Sequence, residues 1–104
     1  MMVAHWHIQA KFGYKQTVID LLKEWMAEIG PQTGLDVSKE RILTGSVGAC
    51  ESEIVSEIHV ANLTELDGMF AKLAGIKMHA DWGRKMSDHV VSGTNYWHVY
   101  RVVD

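Results

Sequence analysis

The clearest pattern along the chain is an alternation of two kinds of side chain over residues 3–10. Successive side chains of a β-strand point to opposite faces, so this alternation predicts a strand with two different faces. One face carries Ala4, Trp6, Ile8 and Ala10, and the other carries Val3, His5, His7 and Gln9. Residues 54–61 alternate in the same way, with Ile54, Ser56, Ile58 and Val60 on one face and Val55, Glu57, His59 and Ala61 on the other.

Helical spacing follows each of these strands. Apolar residues recur three and four positions apart over residues 15–29, which predicts an amphipathic helix. We expect Gly30 to end it in a left-handed cap, because Pro31 cannot continue a helix. After the second alternating strand, Asn62 and Glu65 have the spacing of a capping box and predict the start of another helix.

This second helical region is divided at Gly75. Its first part is predicted to present one apolar side, made of Leu66, Met69, Phe70 and Leu73. Its second part, residues 77–91, is predicted to bury Met78, Trp82, Met86 and either His89 or Val90. We expect an ion pair between Asp81 and Lys85 on its solvent side.

Two further segments, 41–47 and 94–103, have the composition of strands. The element order is then β-α-β-β-α-β, which is typical of the ferredoxin-like arrangement. We therefore predict one α+β domain over residues 1–104. Its four-stranded antiparallel sheet has the order 4-1-3-2, with both helices on one face.

This topology leaves the other face of the sheet without helices. We expect it to carry His5, His7 and Gln9, with Glu57 and His59 beside them. The last strand adds either Tyr96, His98 and Tyr100, or Trp97, Val99 and Arg101. We favour the first set there, because Trp97, Val99 and Val103 suit a core better, although a one-residue change of register would reverse the assignment. An aromatic face of this kind predicts a cover, which is either a second copy of the chain or a ligand.

Composition narrows the range of partners. The chain has 47% hydrophobic and 22% charged residues and a formal charge of -3, which are ordinary globular values. No Lys/Arg cluster is present, so we expect no nucleic acid and no anionic membrane as partner. No apolar run approaches the ~20 residues of a membrane span, and the first ten residues do not have the pattern of a signal peptide. The single cysteine, Cys50, indicates a reducing compartment, and we expect a cytoplasmic protein.

Several segments resemble the dimeric α/β-barrel proteins. These are residues 10–15 (AKFGYK), 76–82 (IKMHADW), 92–94 (SGT) and 96–102 (YWHVYRV). The resemblance implies a homodimer whose two sheets form one barrel, with pockets between sheet and helices. Many members have a His-Pro segment in the second helical region, which His79 matches although Ala80 replaces the proline. Members that degrade haem use an Asn on the first strand; this chain has none there, so we do not expect haem.

The histidines are the candidate catalysts, namely His5, His7, His59 and His79 together with Glu57. Glu57 or His59 beside His5 or His7 would form a general acid/base pair, and Tyr96 or Tyr100 would stabilise an enolate or phenolate. An interfacial salt bridge explains the same residues, and we favour that interpretation. A metal held by His5, His7 and a third ligand is disfavoured, because their spacing alone is a weak signal. His79 is expected to be a surface histidine more readily than a catalyst.

Two functions remain open. The resemblance implies an enzyme without cofactor, of the monooxygenase, isomerase or cyclase kind, that acts on a small apolar or aromatic substrate by histidine acid/base chemistry. The alternative is a non-catalytic homodimer that binds an apolar small molecule or only associates. The predicted ligand-binding residues are Trp6, Phe70, Trp82, Tyr96, His98 and Tyr100.

Overall fold

The computed structural model describes residues 1–104 and contains one sheet and three α-helices. The strands are β1 (Met2–Gln9), β2 (Arg41–Thr44), β3 (Glu53–Val60) and β4 (Tyr96–Arg101). The helices are α1 (Lys15–Glu24), α2 (Leu63–Ala74) and α3 (Lys77–Ser87). The antiparallel sheet has the order β2-β3-β1-β4, so the predicted ferredoxin-like α+β topology is confirmed. None of the helices has the length and apolar character needed to cross a membrane.

The register of β1 decides which residues share a face of the sheet. His5 lies opposite Glu57 of β3 and opposite His98 of β4, so these three side chains are on the same face. Trp6 lies opposite Ser56 and Trp97, which share the other face. Because the helices cover the face of Trp6, the predicted placement of His98 on the uncovered face is confirmed. We call the uncovered face, which also carries His7, His59, Tyr96 and Tyr100, the open face.

Strand β4 is at the edge of the sheet, and this changes the burial that we expected for it. Every residue of the strand is exposed in the single chain. Trp97 and Val99 point to the helix side but remain 39% and 36% exposed, and Val103 lies beyond the strand and is 91% exposed. Their predicted core positions are therefore wrong, because an edge strand has a neighbour on one side only.

The hydrophobic core lies between the sheet and the helices. The sheet contributes Ala4, Ile8, Ile54 and Ile58, and the helices contribute Val18, Leu22, Leu66, Met69, Leu73, Trp82 and Met86. These are mostly the apolar positions of the two periodic patterns in the sequence. At about 1.5–3 kcal/mol for each large apolar side chain removed from water, this cluster is the main stabilising contribution to the fold.

The end of α1 differs from the prediction. Gly30 is not in a left-handed cap, since its φ is -50°. Residues Trp25–Ile29 form a π-helical turn, in which the Gly30 N–H donates to the Trp25 carbonyl, and a 3-10 turn, Gly30–Thr33, follows. Gly34, with φ +83°, is the left-handed residue that ends the segment.

The capping box that begins α2 is confirmed in its first half. Asn62 Oδ1 accepts a hydrogen bond from the Glu65 N–H at 2.9 Å. The Glu65 carboxylate accepts from the N–H of Ala61 at 3.1 Å, one residue before the expected partner. The sequence pattern therefore located the helix start correctly.

Two predictions about the second helical region are wrong. Met78 is 47% exposed and does not belong to the core. Asp81 pairs with Arg84, three residues on, and Lys85 lies 4.0 Å from Glu24 of α1. The spacing of residues along a helix shows which of them share a side, but not which other element lies next to that side. Lys85 approaches Glu24 because α1 lies beside α3.

Candidate functional site

All four tryptophans of the chain surround one cavity between the sheet and the helices. The cavity has a volume of about 380 Å³ and is walled by Trp6, Trp25, Trp82 and Trp97. We call it the indole cavity. Most of the other lining residues are apolar, and they include Leu22, Ile58, Met69, Phe70, Leu73, Met86 and Val90. A cavity of this size and character suits a small aromatic molecule.

The indoles reach the cavity from four different elements. Trp6 points from β1 to the helix side, where its ring stacks with that of Trp97 at 6.1 Å and 24°. Trp25 begins the π-helical turn, and Trp82 is on α3 with its ring 6.5 Å from that of Trp25. Trp82 Nε1 donates to the Leu21 carbonyl at 2.6 Å, which ties α3 to α1. The positions of the four indoles in the cavity wall thus depend on tertiary contacts between elements that are far apart in sequence.

His79 is the one ionisable side chain in the cavity wall. Its ring is half-buried and stacks on Trp82 at 5.7 Å and 19°. Its Nδ1 accepts a hydrogen bond from Trp25 Nε1 at 3.1 Å. Burial lowers the pKa of His79, so the ring favours its neutral form. The expectation that His79 is a surface histidine is therefore wrong.

A few neutral polar groups complete the lining. Ser56 is buried opposite Trp6 on β3, and Ser87 and Asn95 come from the end of α3 and the segment before β4. Ser87 Oγ is already engaged, because it donates to the Arg84 carbonyl at 2.8 Å. The cavity thus offers few polar groups on an aromatic wall, as is usual for a site that orients a mainly apolar ligand.

The open face holds a separate cluster centred on Glu57, whose side chain is only 5% exposed. Arg41 donates two hydrogen bonds to its carboxylate, from Nε at 2.6 Å and from Nη2 at 3.0 Å. His5 Nε2 lies 2.9 Å and His59 Nε2 lies 3.2 Å from the same carboxylate. The Arg41 bonds, aided by the two histidines, lower the pKa of Glu57 to about 2 in spite of its burial.

The other open-face residues form a row of neighbouring aromatic rings. His7 Nδ1 lies 2.8 Å from the Glu53 carboxylate, and its ring stacks on Tyr96 at 4.4 Å and 8°. His98 Nδ1 is 3.2 Å from the Tyr100 hydroxyl. These contacts show that the predicted open-face residues do lie together.

No three His, Cys, Asp or Glu side chains are arranged so that they could hold a metal ion. His5 and His59 each direct Nε2 at Glu57, and Glu57 is itself held by Arg41. The arrangement is that of a structural ion-pair network. Its acceptor positions are already taken by protein donors, which leaves little capacity for acid/base chemistry on a ligand.

The structure thus divides the candidates from the sequence between two sides of the sheet. His5, His7, Glu57, His59, Tyr96, His98 and Tyr100 are on the open face, whereas Trp6, Phe70, His79 and Trp82 line the indole cavity. Sequence reasoning missed Trp25 and Asn95 as lining residues. Trp25 lies on the apolar stripe of α1, and that spacing indicates burial without distinguishing a core residue from a cavity wall.

Comparison with solved structures identifies proteins of the same fold. A NIPSNAP family protein from Agrobacterium tumefaciens superimposes with a TM-score of 0.80 at 16% identity, over 99% of this chain and 93% of that one. An uncharacterized NIPSNAP domain protein from Burkholderia xenovorans gives a TM-score of 0.71 at 12% identity, over 99% and 95% of the two chains. An antibiotic biosynthesis monooxygenase gives 0.70 at 13% identity, over the whole of both chains.

The chain therefore has the ferredoxin-like α+β fold of NIPSNAP and antibiotic biosynthesis monooxygenase proteins. The resemblance to α/β-barrel proteins that the sequence indicated is confirmed at the level of fold. No protein-family model matches the sequence, and no curated protein matches it. At these identities the likeness describes the fold alone.

Proposed function

We propose that this protein binds a small, largely apolar or aromatic molecule in the indole cavity. The observation that carries the proposal is that all four indoles converge on one cavity of about 380 Å³, in which His79 is the only ionisable wall residue. Indole faces favour flat aromatic ligands by stacking and by their large apolar area. His79 and the few neutral polar groups would orient such a ligand.

Glycine at position 83 gives a direct way to test the cavity. Gly83 lines the cavity from α3, and a Cβ built on it meets no atom within 4 Å. We expect Gly83→Leu to fill the cavity and to weaken binding of α-tetralone, a bicyclic aromatic ketone, at least ten-fold. Binding is measured by NMR, from the shifts of the four indole N–H signals during titration.

Gly68 supplies the matched control. It is a helical glycine in α2 with equally open surroundings, and it does not line the cavity. Gly68→Leu should therefore leave α-tetralone affinity within two-fold of the parent chain. Equal affinities in Gly83→Leu and Gly68→Leu, or no saturable binding to the parent chain, would contradict the proposed site.

Monooxygenation without a bound cofactor is the catalytic form of this proposal. It is supported by the fold shared with an antibiotic biosynthesis monooxygenase and by an aromatic-walled cavity whose size suits an aromatic substrate. Dioxygen uptake with an aromatic quinol or anthrone distinguishes catalysis from binding alone. Uptake that persists unchanged in Gly83→Leu would place any such reaction outside the cavity.

We also propose that the chain forms a homodimer through its open face. No helix covers that face, and its aromatic residues Tyr96 and Tyr100 are 45% and 50% exposed in the single chain. A second copy would cover them with the same face in a two-fold arrangement. The ion-pair network around Glu57 would then be sealed from water at the interface.

A further inference from the structure

We propose that Trp25 is a positioning residue that holds His79 as a neutral hydrogen-bond donor toward the indole cavity. This inference rests on the proposed binding site and names the chemistry of its polar contact. The ligand group that fits such a donor is an acceptor oxygen, such as a ketone or phenolate oxygen, placed against His79 Nε2. The sequence had suggested that His79 would act, if at all, in acid/base chemistry.

The direction of one hydrogen bond fixes the tautomer. The indole Nε1 of Trp25 carries a hydrogen and can only donate, so His79 Nδ1 at 3.1 Å must be the unprotonated acceptor. The proton of the neutral ring is then on Nε2. Since Nδ1 is occupied and Nε2 already carries a hydrogen, His79 has no free lone pair with which to accept a proton from a ligand.

The orientation of the ring is held as well. His79 lies flat on Trp82 at 5.7 Å, and Trp82 is itself anchored to the Leu21 carbonyl at 2.6 Å. Rotation of the imidazole by half a turn would put a carbon where Nδ1 is, and it would leave the mostly buried Trp25 N–H without its partner. Trp82 therefore fixes the plane of the imidazole, and Trp25 fixes which of its two edges carries Nδ1 toward the indole N–H.

Nothing around His79 favours the imidazolium. Trp25 is the only hydrogen-bond partner of its ring within the chain, and no carboxylate forms an ion pair with it. The three histidine–carboxylate contacts and the two hydrogen bonds from Arg41 to Glu57 are all on the open face, which is the other side of the sheet from His79. Nε2 has no partner in the protein, so it is the ring nitrogen left for a ligand.

NMR of the free protein tests the tautomer without any ligand. At neutral pH, the ring ¹⁵N shifts of His79 should show Nε2 protonated and Nδ1 bare. In Trp25→Phe, which keeps an aromatic ring but removes the donor, the pKa of His79 should be higher than in the parent chain, because a hydrogen bond donated to Nδ1 stabilises only the neutral ring. In Trp97→Phe, which removes a cavity indole that does not bond His79, the pKa should remain that of the parent chain.

Ligand binding tests what the donor does. α-Tetralone and tetralin differ by one ketone oxygen, and we expect the parent chain to bind the ketone at least five-fold more tightly. His79→Gln places an amide nitrogen near the position of Nε2 and should keep this preference. His79→Asn is too short to do so and should bring the two affinities within two-fold of each other.

The outcomes separate this inference from the proposed function. A protonated Nδ1 in the parent chain overturns the inference even if Trp25→Phe does not fold, and so does a His79 pKa that Trp25→Phe leaves unchanged. The inference is also overturned if the parent chain binds α-tetralone and tetralin with equal affinity. In that case the proposed binding site is still supported, provided that Gly83→Leu weakens the binding of both molecules. If neither probe binds, the proposed function fails, and the tautomer is still decided by the ¹⁵N shifts.

Discussion

Glu40 and Glu57 show how far the partner of a single residue changes its chemistry. Both are buried, with 8% and 3% of the residue exposed. Neither oxygen of the Glu40 carboxyl has a hydrogen-bond partner, and burial raises its pKa to about 7. Glu57 faces Arg41, and its pKa is lowered to about 2. A matched cation, and not the degree of burial, decides which of the two stays ionised.

We expect Glu40 to make the protein less stable as pH rises. The unfolded carboxyl loses its proton near pH 4.5 and the folded one near pH 7, so stability falls across that window and the loss is complete above it. Glu40→Gln removes the charge. Its melting temperature should match the parent chain at pH 4 and exceed it by about 4 °C or more at pH 8, which corresponds to ~1 kcal/mol for a domain of this size.

Two variants control this measurement. Glu28→Gln removes the same charge from an exposed position on the turn that follows α1. Glu57→Gln should behave in the opposite sense, because the lowered pKa of Glu57 contributes stability above pH 4.5 that is lost as pH falls toward 2. A Glu40→Gln variant that is no more stable than Glu28→Gln at pH 8 would refute our account of Glu40.

At the scale of elements, the π-helical turn after α1 determines how the cavity is built. Such turns are frequent at functional sites, because the inserted residue redirects the side chains around it. Here the turn starts at Trp25, whose indole reaches His79. The close approach of Gly30 makes this turn possible, since a Cβ there would lie 2.9 Å from Val37 Cγ1 and 3.1 Å from Trp25 Cζ3.

Gly30→Ala should therefore destabilise the protein by about 1–3 kcal/mol, because the added methyl group overpacks this contact. Gly68→Ala is the matched change in an open helical position, and there alanine should stabilise by up to about 1 kcal/mol. Urea unfolding of the two variants gives both free energies. Similar stability of the two variants would show that the approach of Gly30 to Trp25 is not a tight contact.

At the scale of the whole molecule, the sheet separates two surfaces of different composition. The helix side encloses the indole cavity, and the open face carries the ion-pair network and an exposed aromatic row. Strand β4 belongs to both, because Trp97 walls the cavity while Tyr96 and Tyr100 lie on the open face. Burial of β4 in a dimer would thus stabilise one wall of the cavity as well.

We expect the parent chain to sediment at twice the mass of the single chain at micromolar concentration. Tyr100→Glu puts a carboxylate into the proposed interface, and it should raise the dissociation constant of the dimer at least ten-fold. Val103→Glu makes the same change of charge at a 91% exposed residue beyond β4 and should remain dimeric. A parent chain that sediments as a monomer would refute the proposed dimer.

Much of the fold was predictable from local patterns. The alternation around His5 and His7 placed both on one face, and the register confirmed it, because a strand has a period of two whatever it packs against. Asn62 and Glu65 located the start of α2 from their spacing alone. The choice of Tyr96 and not Trp97 for the open face was also correct, although it rested on a preference for burial.

The errors came where a helix meets another element. Met78 fits the apolar period of its helix and is nevertheless 47% exposed. Lys85 approaches Glu24 of α1, and Asp81 is paired with Arg84. In each case the period indicated a side of the helix but could not indicate what lies opposite it.

The sequence by itself determined the order of the elements, the two faces of the sheet and the gathering of histidines on one of them, since these follow from periodicity and chain connectivity. Only the tertiary structure decided that His79 is a cavity residue and that Trp25 is its partner. The two are 54 positions apart in sequence. Their contact depends on where a π-helical turn ends α1 and on how α3 packs beside it, which no local pattern encodes.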